Sequence, residues 1–207
     1  MLFRSILMPP DSRSPEGFEI QMAVNYFGHF VLTALLFELM PDDPASRVVS
    51  LSSIAHKSGH IDFDGLDGKE PQTGMAAYRQ SKLACLIFAL ELHRKLQRAG
   101  RKTLSVAAHP GVSNTDIARN LSPALHFLLK YTVAPFLTHE PAKAAEPILV
   151  AALDQDVTGG TYLGPKGVME MKGPTGVARM RPNARDEVVA RRLWAFSEAL
   201  TGQVFEI

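Results

Sequence analysis

Four polar side chains in this sequence have types and positions that could do chemistry: Asn25, Ser53, Tyr78 and Lys82. Tyr78 and Lys82 are four residues apart, so on a helix both project from one face. That pairing suits proton transfer to or from a carbonyl or alcohol oxygen. A free tyrosine has a pKa of about 10, poor for acid–base work near neutrality. A nearby ammonium favours the phenolate, and bringing the pKa to about 7 takes roughly 4 kcal/mol, within reach of a dry site holding two cations. Ser53, ending an apolar run, would hydrogen-bond the substrate oxygen as charge develops on it. Asn25, inside an almost wholly apolar stretch, could hold a water linking Lys82 to solvent. Taken singly, each has an ordinary reading: a loop contact for Asn25, a turn cap for Ser53, a surface pair for Tyr78 and Lys82. Their order along the chain, followed by His109-Pro110-Gly111, is what joins them into one site.

The elements that must position these residues follow from periodicity and punctuation. Glu16 to Met40 reads as one long helix stopped by Pro41, apolar nearly all the way round and so needing cover on more than one side. Val48 to Ser53 reads as a short buried strand, and His56 to Thr73 as a long polar loop. Met75 to Gln97 is a second helix with Gly100 closing it. Thr103 to Ala108 is a strand broken by Pro110-Gly111, Glu140 to Leu153 a helix with Pro141 near its start, and Thr161 to Leu163 a brief strand. Asp186 to Thr201 is an amphipathic helix carrying the only tryptophan, Trp194. Leu2 to Met8 is a doubtful fourth strand. The alternation implies an α/β fold of one domain over residues 1–207, with a parallel sheet of three to four strands.

Composition narrows the function classes. With 46% hydrophobic and 21% charged residues the chain reads as globular, and its net charge of +1 gives no electrostatic case for nucleic acid as a partner. Its single cysteine, Cys85, excludes an internal disulfide and lies among apolar residues as an inert buried thiol. No apolar run reaches the ~20 residues of a membrane span, and the opening ten residues do not resemble a signal peptide, so the expected location is cytoplasmic. His56, His60, Asp62 and Asp64 share one loop, but their spacing fits no helical ligand pair; no metal is expected.

The chain resembles the short-chain dehydrogenase/reductase family, and within it the retinol-dehydrogenase-like branch. The resemblance is carried by Val24-Asn25-Tyr26-Phe27-Gly28-His29-Phe30, Arg47 to Ser53, Tyr78-Arg79-Gln80-Ser81-Lys82 and His109-Pro110-Gly111-Val112-Ser113-Asn114-Thr115, and it runs from about Pro9 to Gly202. It implies a Rossmann-like doubly wound sheet and an NAD(P)-dependent oxidoreductase interconverting an alcohol and a carbonyl. It further implies Tyr78 as general acid/base, Lys82 on the nicotinamide ribose, Ser53 orienting the carbonyl with Ser52 as second choice, and Asn25 supporting the proton relay. Pro110, Gly111, Val112 and Thr115 would line the nicotinamide side of NADP or NAD.

That family opens with a strand, a Thr-Gly-x-x-x-Gly-x-Gly turn and a helix that holds the pyrophosphate. No such run occurs here, and Thr158-Gly159-Gly160 has the wrong spacing and comes late. The expectation is therefore an N-terminally truncated domain whose residues choosing NAD or NADP are absent. Its uncovered apolar helices would make the bare chain poorly soluble or a homo-oligomer. The alternative is a non-catalytic remnant that associates with intact relatives through its long helices. The substrate would be a small alcohol or carbonyl, and Leu121 to Leu137 could roof a pocket for a lipophilic one. Nucleotide-sugar epimerases share the Tyr/Lys pair, but the tail after Ser113 is too short for their substrate domain.

Overall fold

Side-chain alternation along two short apolar strands decides which way the sheet faces. In the computed structural model, which describes residues 5–10, 12–67, 70, 72–112 and 140–207, β1 (Arg47–Leu51) and β2 (Leu104–Ala108) pair in parallel, Val48 opposite Ser105 and Val49 opposite Val106. Strand residues point alternately to opposite faces. Val49, Val106, Ala108 and Leu163 accordingly gather in one apolar cluster, while Val48, Ala107 and Tyr162 join the other. β3 (Tyr162–Pro165) lies parallel beside β2, and β4 (Thr175–Val177) closes antiparallel on β3. The order is β1-β2-β3-β4, which leaves β1 at the edge of the sheet.

The three expected strands form, and β4 is added to them. Its Thr-Gly-Val has neither the length nor the alternation to announce a strand; register with β3 makes it one. In the doubtful stretch, residues 5–8 form no strand.

The first helix differs from the single regular rod expected over 16–40. Glu19 caps its start by accepting from the Met22 amide, and α-helical Ile20–Met22 passes through a π-helical stretch, Ala23–Phe27, into α-helical Gly28–Phe37; these together are α1. Its apolar circumference has two fates. Phe30 and Phe37 are fully buried, whereas Leu35 and Leu36 are 58% and 47% exposed. By length and composition Ile20–Phe37 could cross a membrane, which corrects the expectation that no apolar run is long enough. In this fold its inner face packs on protein, Phe30 edge-on to Trp194 at 5.3 Å and Phe88 at 5.7 Å.

α2 (Gly74–Arg98) covers one face of β1 and β2, and α3 (Pro141–Leu153) covers the other, the two-sided wrapping of a Rossmann-like sheet. Gly100, at φ 69°, follows the end of α2 in the left-handed conformation that glycine adopts without strain. α4 (Glu187–Thr201) begins where the Asp186 carboxylate accepts from the Val188 and Val189 amides, and it brings Trp194 into the core stacked on Phe88.

Candidate active site

The C-terminal ends of β1, β2 and β3 meet on one side of the sheet, where ligands of open α/β folds bind. β1 runs into Ser52 and Ser53, β2 into His109 to Val112, and α2 passes beside them bearing Tyr78 and Lys82.

Lys82 is only 2% exposed, and its Nζ donates to the Leu51 carbonyl at 3.1 Å. The ammonium lies 5.8 Å from the centre of the Tyr78 ring, as the four-residue spacing requires. Tyr78 is half-buried. Two other tyrosines stand nearby in the core, and burial pushes the phenols of both Tyr26 and Tyr162 well above the ordinary 10.0, which keeps them neutral.

The structure separates the two serines. The Ser52 hydroxyl is buried and donates to the Lys82 carbonyl at 2.8 Å, so it is spent on holding α2 against the end of β1. Ser53 is half-buried; its Oγ accepts from the Ala55 amide at 3.2 Å and caps a 3-10 turn, Ile54–Ser58, that opens the long loop. A hydroxyl in that role keeps its own proton for a further partner.

Asn25 sits in the π-helical stretch of α1. Its side chain clamps the chain ahead of it. Oδ1 accepts from the Ile6 amide at 2.8 Å, and Nδ2 donates to the Ile6 carbonyl and to Ser81 Oγ, each at 3.0 Å. Ser81 in turn donates to the Tyr78 carbonyl at 2.9 Å, tying α1 to the turn that carries the phenol. The widened turn turns the Asn25 carbonyl towards α2, where it accepts from the Cys85 thiol at 3.1 Å. Burial raises that thiol, which suits an inert donor rather than a nucleophile. Asn25, Lys82 and Cys85 line a cavity of about 90 Å³ that runs along the edge of β1 past Val49 and Leu51. Its lining is mostly apolar, with polar groups of Asn25 and Lys82 at one part, and it is large enough for water beside Lys82.

Gly111 has φ 73°, and a Cβ there would run into the Met171 carbonyl, so the turn after β2 needs glycine. The Val112 amide donates to that same carbonyl at 2.9 Å, pinning Pro110, Gly111 and Val112 to the segment after β3. Thr115, like the apolar Leu121 to Leu137, lies outside the described residues. Of the loop considered for metal, His56 is fully buried against Tyr162, away from any grouping with His60, Asp62 and Asp64. Among the described residues no cluster of three or more His, Cys, Asp or Glu could hold a metal ion.

Of three buried residues at the site, Tyr162 escaped sequence reasoning altogether, while His109 entered only as the opening of the Pro110-Gly111 turn and His56 only as a rejected metal ligand. They belong to segments that read as loop, turn and strand, and only the folded sheet with the 3-10 turn after β1 brings them together behind Ser53.

Comparison with known proteins agrees with this geometry. The family model described as short chain dehydrogenase matches residues 8–126. Retinol dehydrogenase 13 of Homo sapiens is 39% identical over 204 residues, taking in 95% of this chain and 58% of the relative. Polyprenol dehydrogenase of Mus musculus is 34% identical over 203 residues with the same two coverages, 95% and 58%. The chain thus spans less than two thirds of the length of these curated relatives. Among solved structures, an uncharacterized protein from Mycobacterium paratuberculosis superposes with a TM-score of 0.77 at 32% identity, covering 98% of this chain and 66% of the other. The angucycline C-6 ketoreductase LanV, solved with bound NADP, shares the fold at a TM-score of 0.54 and 22% identity, over 77% of this chain and 57% of its own.

Proposed function

This chain belongs to the short chain dehydrogenase family, and we propose that it is the catalytic portion of an NAD(P)-dependent oxidoreductase that interconverts an alcohol and its carbonyl, with Tyr78 as general acid/base. The observation that carries the reading is the buried Lys82 ammonium beside the Tyr78 ring at the C-terminal edge of the parallel sheet. The donor set there fits the nicotinamide-ribose end of a dinucleotide: an ammonium able to donate to ribose hydroxyls, and the backbone of Pro110, Gly111 and Val112 facing the same edge. When bound, that group supplies the hydride or accepts it.

Each residue then has a task. Tyr78 gives its phenolic proton to the carbonyl oxygen during reduction and takes it back during oxidation. Lys82 favours the phenolate by its charge and holds the ribose. Ser53 donates to the substrate oxygen as negative charge builds there. Asn25 fixes the path for proton return, through its carbonyl at the cavity beside Lys82 and through Ser81 at the Tyr78 turn. A lipophilic alcohol or carbonyl is the substrate class, in keeping with relatives named for retinol and polyprenol.

Titration of the purified chain with NADPH and NADH, followed by cofactor fluorescence, tests this, with Tyr78→Phe and Lys82→Met in parallel. Saturable binding weakened by Lys82→Met, with turnover lost in Tyr78→Phe, is the expected result. A folded sample that binds neither cofactor at millimolar concentration would overturn it. The reading would then pass to a second one, association with complete relatives, favoured by the open edge of β1 and the exposed leucines of α1.

A further inference from the structure

Behind Ser53 lies a buried polar cluster for which the proposed reaction has no use. Tyr162 of β3 is fully buried, with the ring of His56 edge-on at 5.3 Å on one side and the ring of His109 at 5.1 Å on the other. Both histidines are fully buried as well. Room for His109 comes from Gly164, where a Cβ would run into its Nε2.

The hydrogen bonds of this cluster have one consistent direction, because carbonyl oxygens stand at its ends and can only accept. Ser52 donates to the Lys82 carbonyl at 2.8 Å. The adjoining Ser53 presents its carbonyl to the cluster. That carbonyl, which can only accept, lies 2.6 Å from His56 Nδ1, and Tyr162 Oη, 3.4 Å from the same nitrogen, takes a long share of the bond. That nitrogen must then carry the hydrogen. On the other side, the Gly111 amide donates to His109 Nδ1 at 3.2 Å, so this Nδ1 carries none and the neutral ring has its hydrogen on Nε2.

We propose that His56, Tyr162 and His109 are positioning residues: a buried unit, with its two imidazoles locked in opposite tautomers, that sets the Ser53 carbonyl, the Lys82 turn and the Gly111 amide relative to one another. It rests on the reading of Ser53, Lys82 and the turn at Gly111 as the reacting side of an oxidoreductase. Around one tyrosine the unit reaches the Ser53 carbonyl through His56 and the Gly111 amide through His109, and Ser52, next to Ser53, carries the tie to the Lys82 turn, so hydride donor and oxygen-binding hydroxyl keep their spacing when either is pushed. Alternative roles are poor fits. The unit is sealed from solvent, and its phenol is held neutral by burial, so it does not exchange protons with substrate.

Long-range ¹H–¹⁵N correlation spectra of the wild-type chain read the tautomers directly and need neither turnover nor a variant. The expected result is a protonated Nδ1 with a bare Nε2 in His56, and the reverse in His109; any other pair overturns the proposal. Tyr162→Phe keeps the ring and deletes the hydroxyl. It should shift the His56 imidazole nitrogens and, across the unit, the Gly111 amide, and weaken NADPH binding about three- to tenfold, as expected for one lost hydrogen bond. A Gly111 amide that ignores Tyr162→Phe while His56 responds would leave two separate contacts and refute the positioning unit. Absence of NADPH binding by wild type, with the opposite tautomers present, would instead sink the oxidoreductase reading and leave the unit standing.

Discussion

Replacing Lys82 by methionine should uncouple stability from binding, because the lysine occupies a place where a charge is costly. Its side chain is 2% exposed, and its Nζ donates to the Leu51 carbonyl at 3.1 Å. Burying an ammonium costs several kcal/mol after relaxation. Against that stand a charge-assisted hydrogen bond of about 1.5–3 kcal/mol, and about 1–3 kcal/mol for leaving a buried acceptor without its donor. Methionine fills nearly the same volume without the charge, so the opposing effects nearly cancel, and unfolding free energy should stay within about 2 kcal/mol of wild type. Cofactor binding has no such compensation. Losing one or more charged hydrogen bonds of about 1.5–3 kcal/mol to the ribose weakens NADPH binding about tenfold to hundredfold. Urea unfolding followed by the fluorescence of Trp194, the single tryptophan and a core residue, gives the first number. Titration of the folded variant gives the second. A loss of more than about 3 kcal/mol in stability with unaltered NADPH affinity would refute the reasoning and make Lys82 a structural residue.

Three further outcomes are expected. Burial holds the His56 imidazole below its ordinary 6.5, so the folded chain stays neutral there while the unfolded chain takes up a proton as pH falls. Stability is therefore full above about pH 6.5 and declines below it, by at most about 1.4 kcal/mol per pH unit from this group; His56→Gln should flatten that part of the urea-melt pH profile. Phe30→Ala removes a fully buried ring in contact with Phe88, Trp194 and Phe205 and should cost about 3–5 kcal/mol in chemical denaturation; a cost under 1 kcal/mol would mean that the aromatic cluster is not the core of this fold. Leu35→Lys on α1 with Leu39→Lys in the turn just past its end, both at exposed positions, should raise solubility and shift size-exclusion elution towards monomer, and an unchanged profile would place self-association on another surface.

Much of the architecture was readable from local rules. Short apolar runs bounded by turn residues marked β1, β2 and β3; Asp186 and Gly202 bracket α4 as a side-chain cap and a left-handed stop should. A four-residue interval on one helix is enough to put Tyr78 and Lys82 side by side, because helix geometry is local. The length of Leu121 to Leu137 and the place of Thr115 fall outside the described residues, and their sequence-based roles rest on resemblance alone.

What only tertiary structure decided are the features made by meetings across the chain. β4 exists because β3 offers it a register, not because Thr-Gly-Val prefers a strand. Ser52 and Ser53 are chemically the same in sequence; the Lys82 carbonyl, thirty residues away, claims the hydroxyl of one and leaves the other on the loop. The π-helical turn at Asn25 reads as ordinary helix until α2 brings the Cys85 thiol to donate to its carbonyl. His56, His109 and Tyr162 come from three segments more than fifty residues apart, and no pattern in any one of them announces the other two. Hydrogen-bond donors and acceptors within a turn are fixed by chain geometry. Those between strand ends are fixed only when the sheet has formed and solvent has left, and in this protein that second set determines which of its polar residues are free to react.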